Sequence, residues 1–418
     1  MKPRVFICLL ATIGLLAALR PAAAQTWTQT SAPSQNWDSV ASSADGNNLI
    51  AVATSWIYCI STNSGSSWIT NTEPQIGSYH GSWYSVAASA DGTKYVGING
   101  NAIWVSTNSG ITWLSNSVPS AYLFASVALS ADGNKLVVVD GKYANSPGLI
   151  YTSTNCGITW TQTSAPSNNW ASVACSADGT KIVAIASWPG PYVPPGLIYT
   201  STNSGFTWAR MNSPNTNLTS VASSADGIKL VLASEPDFNF NVMPYVLLNP
   251  GLIYTSTNSG ATWVSNNVPD GVWDGVASSA DGSRLVAVGQ GNAEIYTSTN
   301  AGATWISNGV PSQIWYGVAS SADGNKLVAV SVFGTGSNPG NILTSYSTPS
   351  PQLNLTSSPA NLTLAWTVPS TNFVLQQSAD LSSWSPVTNP PVLNLTNLQN
   401  QVTLSPSNST GFFRLKTP

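Results

Sequence analysis

The sequence predicts an all-β chain: a seven-bladed β-propeller closed by its N-terminal strand, followed by a small C-terminal β-sandwich. Three observations carry the prediction. The stretch Leu149–Trp160, LIYTSTNCGITW, returns with small changes ending at Trp208, Trp263 and Trp305, and more loosely at Trp68 and Trp113. Seven Asp-Gly pairs, beginning at Asp45, Asp91, Asp132, Asp178, Asp226, Asp281 and Asp323, recur 41 to 55 residues apart. That period suits one four-stranded blade, and a parallel solenoid would need shorter, more uniform turns. Finally, the array lacks its last strand, while Thr26–Ser34 repeats Thr159–Ser167 letter for letter.

Residues 1–24 read as a secretory signal. Lys2 and Arg4 precede an apolar core, and Ala22-Ala23-Ala24 offers small residues for cleavage before Gln25. The core is short for a membrane span. Cys8 lies inside it rather than just after it, which argues against a lipid anchor. The expected location is therefore secreted, periplasmic or cell-surface. Losing Lys2, Arg4 and Arg20 takes the net charge from −3 to −6, so the mature chain lacks the basic footprint that nucleic acid demands.

From residue 25 to 347 each repeat has two halves. The first reads W-x-x-V-A-x-S-A-D-G-x-K-L-V-A-V, two apolar runs joined by Asp-Gly, which is a hairpin signal because glycine accepts positive φ. The second reads I-Y-T-S-T-N-S-G-x-T-W and leads into a short polar strand. This gives strands A to D per blade. Blade seven stops at Ile342–Ser345, and the N-terminal copy is expected to supply its outer strand, removing the open ends of the array.

An Asn side chain can accept hydrogen bonds from the backbone of its own turn. Here the residues resemble the Asp-box, or BNR, repeat, S-x-D-x-G-x-T-W, with Asn63, Asn108, Asn155, Asn203, Asn258 and Asn300 in place of the aspartate. The repeat occurs in sialidases, xyloglucanases, Vps10-type receptors and Ycf48-like assembly factors. The resemblance implies a propeller and leaves the function open.

The A–B and C–D turns are short and repetitive. The B–C loops vary, and loops on a rigid scaffold are where binding resides. Those of blades three to five carry Tyr143, Trp188, Tyr192, Phe238, Phe240 and Tyr245, read as an aromatic recognition surface for a glycan or protein ligand. The alternative is that they pack beneath their own loops. Residues 348–352 read as a linker. Residues 353–418, with strand-like runs at Leu362–Val368, Phe373–Ser378, Gln401–Leu404 and Phe412–Leu415, resemble a fibronectin-like accessory module of secreted bacterial proteins.

The charges narrow the chemistry. Lys94, Lys135, Lys181, Lys229, Arg284 and Lys326 each follow an Asp-Gly aspartate by three places and read as paired turn charges. The propeller's only arginines are Arg210 and Arg284, which speaks against the arginine cluster of a sialidase. A glycoside hydrolase needs two carboxylates. Candidates are Asp38 and Asp274, which share the position after the strand-A tryptophan, and Glu235 and Asp237 in the longest loop. The single histidine, His80, cannot build a multi-histidine metal site, and no cofactor motif occurs. Trp37, Trp83, Trp170, Trp273 and Trp315 read as packing between blades, with stacking at the channel mouth as the alternative. The mature cysteines, Cys59, Cys156 and Cys175, are odd in number, so a complete disulfide framework is excluded and a Cys156–Cys175 bridge stays open. The reading is a secreted, monomeric, non-catalytic binding protein. The alternatives are a glycoside hydrolase and a structural surface protein.

Overall fold

The computed structural model describes residues 25–416 apart from 73–81, 100–101, 117, 119–122, 142–146, 188–195, 215, 240–245, 292–293, 311–312, 334–339, 348–352, 359–360, 368–373, 380–381, 395–398 and 406–411. Among the described residues there is no helix. None is therefore long and apolar enough to cross a membrane. Seven four-stranded antiparallel sheets follow one another along the chain. Blade one is Trp37–Ser42, Leu49–Ala53, Ile57–Ser61 and Ile69–Thr72, and blades two to six repeat this order. Blade seven is Ile314–Ser320, Lys326–Phe333 and Ile342–Tyr346, completed by Trp27–Gln29. Trp27 lies opposite Ser345 and Gln29 opposite Leu343, so the first strand does close the ring.

The strand sequences explain the layering. Strand B reads as a largely apolar run, and in blades one and four, Leu49–Ala53 and Ile182–Ala186, it is buried at every residue. Such a run fits a strand covered on both faces, here by the neighbouring blades. Strand D is polar and lies outermost, as in Ile69–Thr72. The core is divided into seven clusters, one at each joint between blades. Trp37, Trp83, Trp170, Trp273 and Trp315 sit in these joints, at most 1 % exposed. They are packing residues and do not stack at the channel mouth.

Two sets of hydrogen bonds tie the blades together, and the first is a closed circuit. In the Ser-Ala-Asp-Gly turns, the Ala44 amide donates to the Ala90 carbonyl (2.8 Å), and the pattern continues from turn to turn until Ala322 N donates to Ala44 O (2.8 Å). A second set runs from the Val86, Val127, Val173, Val221 and Val276 amides to a serine hydroxyl on the preceding blade, at 3.2–3.4 Å. At the joints entering blades seven and one, the serine position is Gly275 and Gly317.

The rim lysines reach along the rim from one blade to the next. Lys94 Nζ reaches the Asp132 carbonyl of the next blade (2.8 Å), and Lys181 and Lys229 reach Asp226 and Asp281 likewise (2.8 Å). The turn aspartates are also held by hydrogen bonds within their own turns. Asp91, for example, accepts from the Ser89 hydroxyl at 2.5 Å and from the Thr93 amide at 3.0 Å.

In the Asn-containing turns both the glycine and the residue before it take positive φ: Ser64 at 59° and Gly65 at 86°, Cys156 at 56° and Gly157 at 78°. The tryptophan closes over the turn, with Trp68 Nε1 donating to Gly65 O at 3.1 Å. Cys59, Cys156 and Cys175 are free thiols, so no bridge joins Cys156 to Cys175. The long B–C connection of blade five includes a hairpin, Asp237–Asn239 against Val246–Asn249.

Beyond Ser347 the chain forms a four-stranded sheet, in the order Asn354–Ser357, Leu362–Thr367, Gln399–Leu404 and Val392–Asn394, and a three-stranded one. They share a thin core of Leu364, Trp366, Leu375 and Val402.

Candidate functional site at the channel mouth

The start of every strand A carries a register shift. In blade one Trp37 pairs with Ala53 and Ser39 with Val52, which leaves Asp38 as an extra residue. The same shift occurs in all seven blades. A bulge of this kind re-aims the extra side chain and recurs beside functional sites. In blade order the extra residues are Asp38, Tyr84, Ala125, Ala171, Thr219, Asp274 and Tyr316. The ring is chemically lopsided. Blades six, seven, one and two offer Asp, Tyr, Asp and Tyr in unbroken succession, while blades three and four offer only methyl groups.

Glycine brings the loaded strands close together. A Cβ on Gly275 would come within 2.9 Å of the Tyr316 carbonyl oxygen, and one on Gly317 within 3.3 Å of the Asp38 carbonyl oxygen. Asp38 is buried, at 8 % exposure, and Tyr316 shows 41 % of its surface. Gln290, at the end of strand B in blade six, donates to Asp274 Oδ2 at 2.9 Å. Glu235 ends strand B of blade five and accepts from the Asn217 amide, whose carbonyl oxygen accepts from the Ser187 hydroxyl of blade four.

The electrostatics follow from crowding. Burial, reinforced by the Glu235 charge and opposed by the Gln290 hydrogen bond, pushes the Asp274 carboxyl up to about 7. Burial and the neighbouring Asp237 raise Glu235. Withdrawal from water and the fields of Asp38, Asp274 and Glu235 push the Tyr316 phenol up to about 12. The charges of Glu235, Asp274 and Asp38, from blades five, six and one, thus all reach Tyr316 of blade seven, and Glu235 also reaches Asp274. The arrangement holds a proton on a carboxyl near neutral pH. It presents acceptors and phenolic donors to hydroxyls or to a cationic group.

Of the sequence-predicted residues, Asp38, Asp274 and Glu235 come together here, and Asp237 stands beyond Glu235 in the blade-five hairpin. Tyr143, Trp188, Tyr192, Phe240 and Tyr245 lie outside the described residues. Phe238 belongs to the hairpin strand opposite Leu247, but its side chain lies outside the description. Sequence reasoning missed Tyr84 and Tyr316, although the signal was present: both occupy the same repeat position as Asp38 and Asp274. Among the described residues no three His, Cys, Asp or Glu side chains gather to hold a metal ion.

No family model matches the sequence, and no curated protein matches it. Solved structures do. Ycf48 bound to a D1 peptide superposes with a TM-score of 0.55 at 14 % identity, covering 79 % of this chain and 97 % of that one. Ycf48 from Cyanidioschyzon merolae gives 0.55 at 17 % identity, covering 78 % and 99 %. The fold is that of a Ycf48-like β-propeller. The propeller is also shared with the GH74 xyloglucanase from Xanthomonas campestris, with a TM-score of 0.54 at 14 % identity; the match covers 82 % of this chain and 59 % of the enzyme. Identities this low establish architecture and nothing of the ligand.

Proposed function

We propose that the protein is a secreted, non-catalytic binding propeller, monomeric, that takes a glycan or protein ligand at the B–C mouth of its channel. The observation that carries this reading is the unbroken run of Asp274, Tyr316, Asp38 and Tyr84 on the bulge ring. Donors and acceptors on a rigid scaffold beside an apolar sector are the composition of a recognition site. The aromatic B–C loops of blades three to five would extend the contact on the opposite side. The proposal includes Asp-box kinship for the Asn-containing turns and an accessory role for the segment after residue 352. The neighbour Ycf48 is solved with a peptide, which makes a polypeptide ligand the first to try.

The test is a glycan array and a peptide library screened with the mature chain, followed by calorimetry on the hits. Tyr316→Ala and Asp38→Asn are expected to weaken binding about tenfold or more, and deletion of residues 234–251 to weaken it further. A folded protein that binds nothing, or whose affinity these changes leave untouched, refutes the reading. A glycoside hydrolase is the second reading, favoured by the carboxyl of Asp274 poised near 7 beside other carboxylates. Turnover on a polysaccharide panel that disappears in Asp274→Asn would establish it.

A further inference from the structure

The other end of the channel has a different character. It is a hollow of ≈ 170 Å³ lined by serine and alanine of the Ser-Ala-Asp-Gly turns, with Leu129 and Cys175. It offers methyl groups and hydroxyls and no charge. Leu393, in the edge strand Val392–Asn394 of the last four-stranded sheet, packs against the cluster of Ala44, Ala90 and Ala322 at this end, as Ala131 and Ala280 also do.

The direction of the chain agrees with that contact. Strand C of blade seven ends at Tyr346 opposite Lys326, the residue that opens strand B just after the Asp323-Gly324 turn. The chain therefore leaves the propeller on the face of the A–B turns. Its exit is held there: the Ser347 amide donates to Asn325 O (2.8 Å) and its hydroxyl to Asn325 Oδ1 (3.1 Å). Six peptide steps separate Ser347 from Leu353, a span of up to about 20 Å. That length reaches from strand C, two strands at about 4.8 Å spacing from strand A, to the axis.

We propose that the C-terminal sheets are seated on the A–B end of the channel as a stopper. Leu393 is the closing residue, and the channel is a well entered only from the B–C side. Apolar-on-apolar contact suits the alanine rim to a leucine, whose methyl groups leave water on meeting those of the alanines. A blind well traps a ligand at the acidic mouth instead of threading it through the ring. This inference concerns the opposite mouth and holds whatever the B–C mouth binds.

Cys175 provides a native reporter, because it lines the stoppered mouth. Its thiol is pushed up to about 12, chiefly by burial, with Asp178 adding to the effect. The experiment uses the full mature chain and follows labelling of Cys175, by peptide mapping, with a maleimide carried on a polymer too wide to pass down the channel from the B–C side. Leu393→Asp, checked for an unchanged far-UV spectrum, is expected to speed that labelling about tenfold, as exposure of a shielded thiol does. Labelling within twofold of the parent overturns the proposal. Leu393→Cys, a milder change, is expected to cross-link to Cys175 through a short bis-maleimide. A Leu393→Cys protein in which both thiols take single maleimides but never link also overturns it.

Discussion

Asn155 holds its turn through three bonds. Its Oδ1 accepts from the Thr159 amide and the Ser153 hydroxyl, each at 2.9 Å, and its Nδ2 donates to the Thr159 hydroxyl at 2.8 Å. A carboxylate could keep the first two, and the third would survive by reversing, because a threonine hydroxyl donates as readily as it accepts. Asn155→Asp is therefore expected to shift stability by less than about 0.5 kcal/mol, and Asn155→Ala to cost about 1–2 kcal/mol; denaturant midpoints measure both. At the channel mouth the pH dependence has a definite sign. The folded state raises the Asp274 carboxyl to about 7 from the ordinary 3.8. Below the unfolded value the group is neutral in both states and costs nothing. As pH rises through the window from 3.8 to about 7 the folded state resists ionisation, and stability falls. Asparagine mimics the neutral acid. Asp274→Asn is expected to raise the melting temperature at pH 8 and to leave it unchanged at pH 4, a contrast that thermal melts at the two values would expose. The turn aspartates Asp91, Asp132, Asp178 and Asp281 behave oppositely. Burial pushes them up, but hydrogen bonds from serine, threonine or asparagine neighbours and from their backbone outweigh it, so they sit below the ordinary value and lose their contribution in acid.

At the scale of the strand, the bulge decides what the site contains. Gly275 has no room for a side chain, since an added Cβ meets Tyr316 O at 2.9 Å and Val288 Cγ2 at 3.0 Å. Gly275→Ala is expected to cost about 1–3 kcal/mol through overpacking. It should also displace Tyr316, so that ligand affinity falls with stability; Ser172→Ala, on the unloaded side, should leave affinity alone. Strands and turns were legible in the sequence because period, Asp-Gly and Thr-Trp are local signals. The bulge was not, because a register shift exists only between two paired strands. Asp38 and Asp274 stand out when the repeats are aligned as carboxylates at one position, whereas Tyr316, at the same position, carries no charge to mark it. Likewise the lysines after Asp-Gly read as paired charges of the rim. Their true acceptors belong to the next blade, which one repeat read by itself cannot reveal.

For the whole molecule, closure was the long-range feature that could be read, since a missing last strand and a spare first copy are both visible in the letters. Removal of residues 25–34 is expected to strip the strand opposite Ile342–Ser345 and expose its edge. The melting temperature should then fall by about 10 °C or the protein should aggregate; calorimetry and light scattering would tell these apart from a tolerated deletion. The contact of Leu393 with the alanine rim left no trace in the sequence, because it joins segments whose composition says nothing of one another. The alanine amides add a last point. Each donates to the next blade in the same rotational sense, and the seventh returns to the first. Aligned peptide dipoles of this kind polarise one another, and a hoop so made has a handedness but no terminus at which fraying can start. An extra repeat, added freely to a linear stack, would here oblige every joint around the circumference to change its angle. Evolution could lengthen any loop of this protein far more readily than it could change its count of blades.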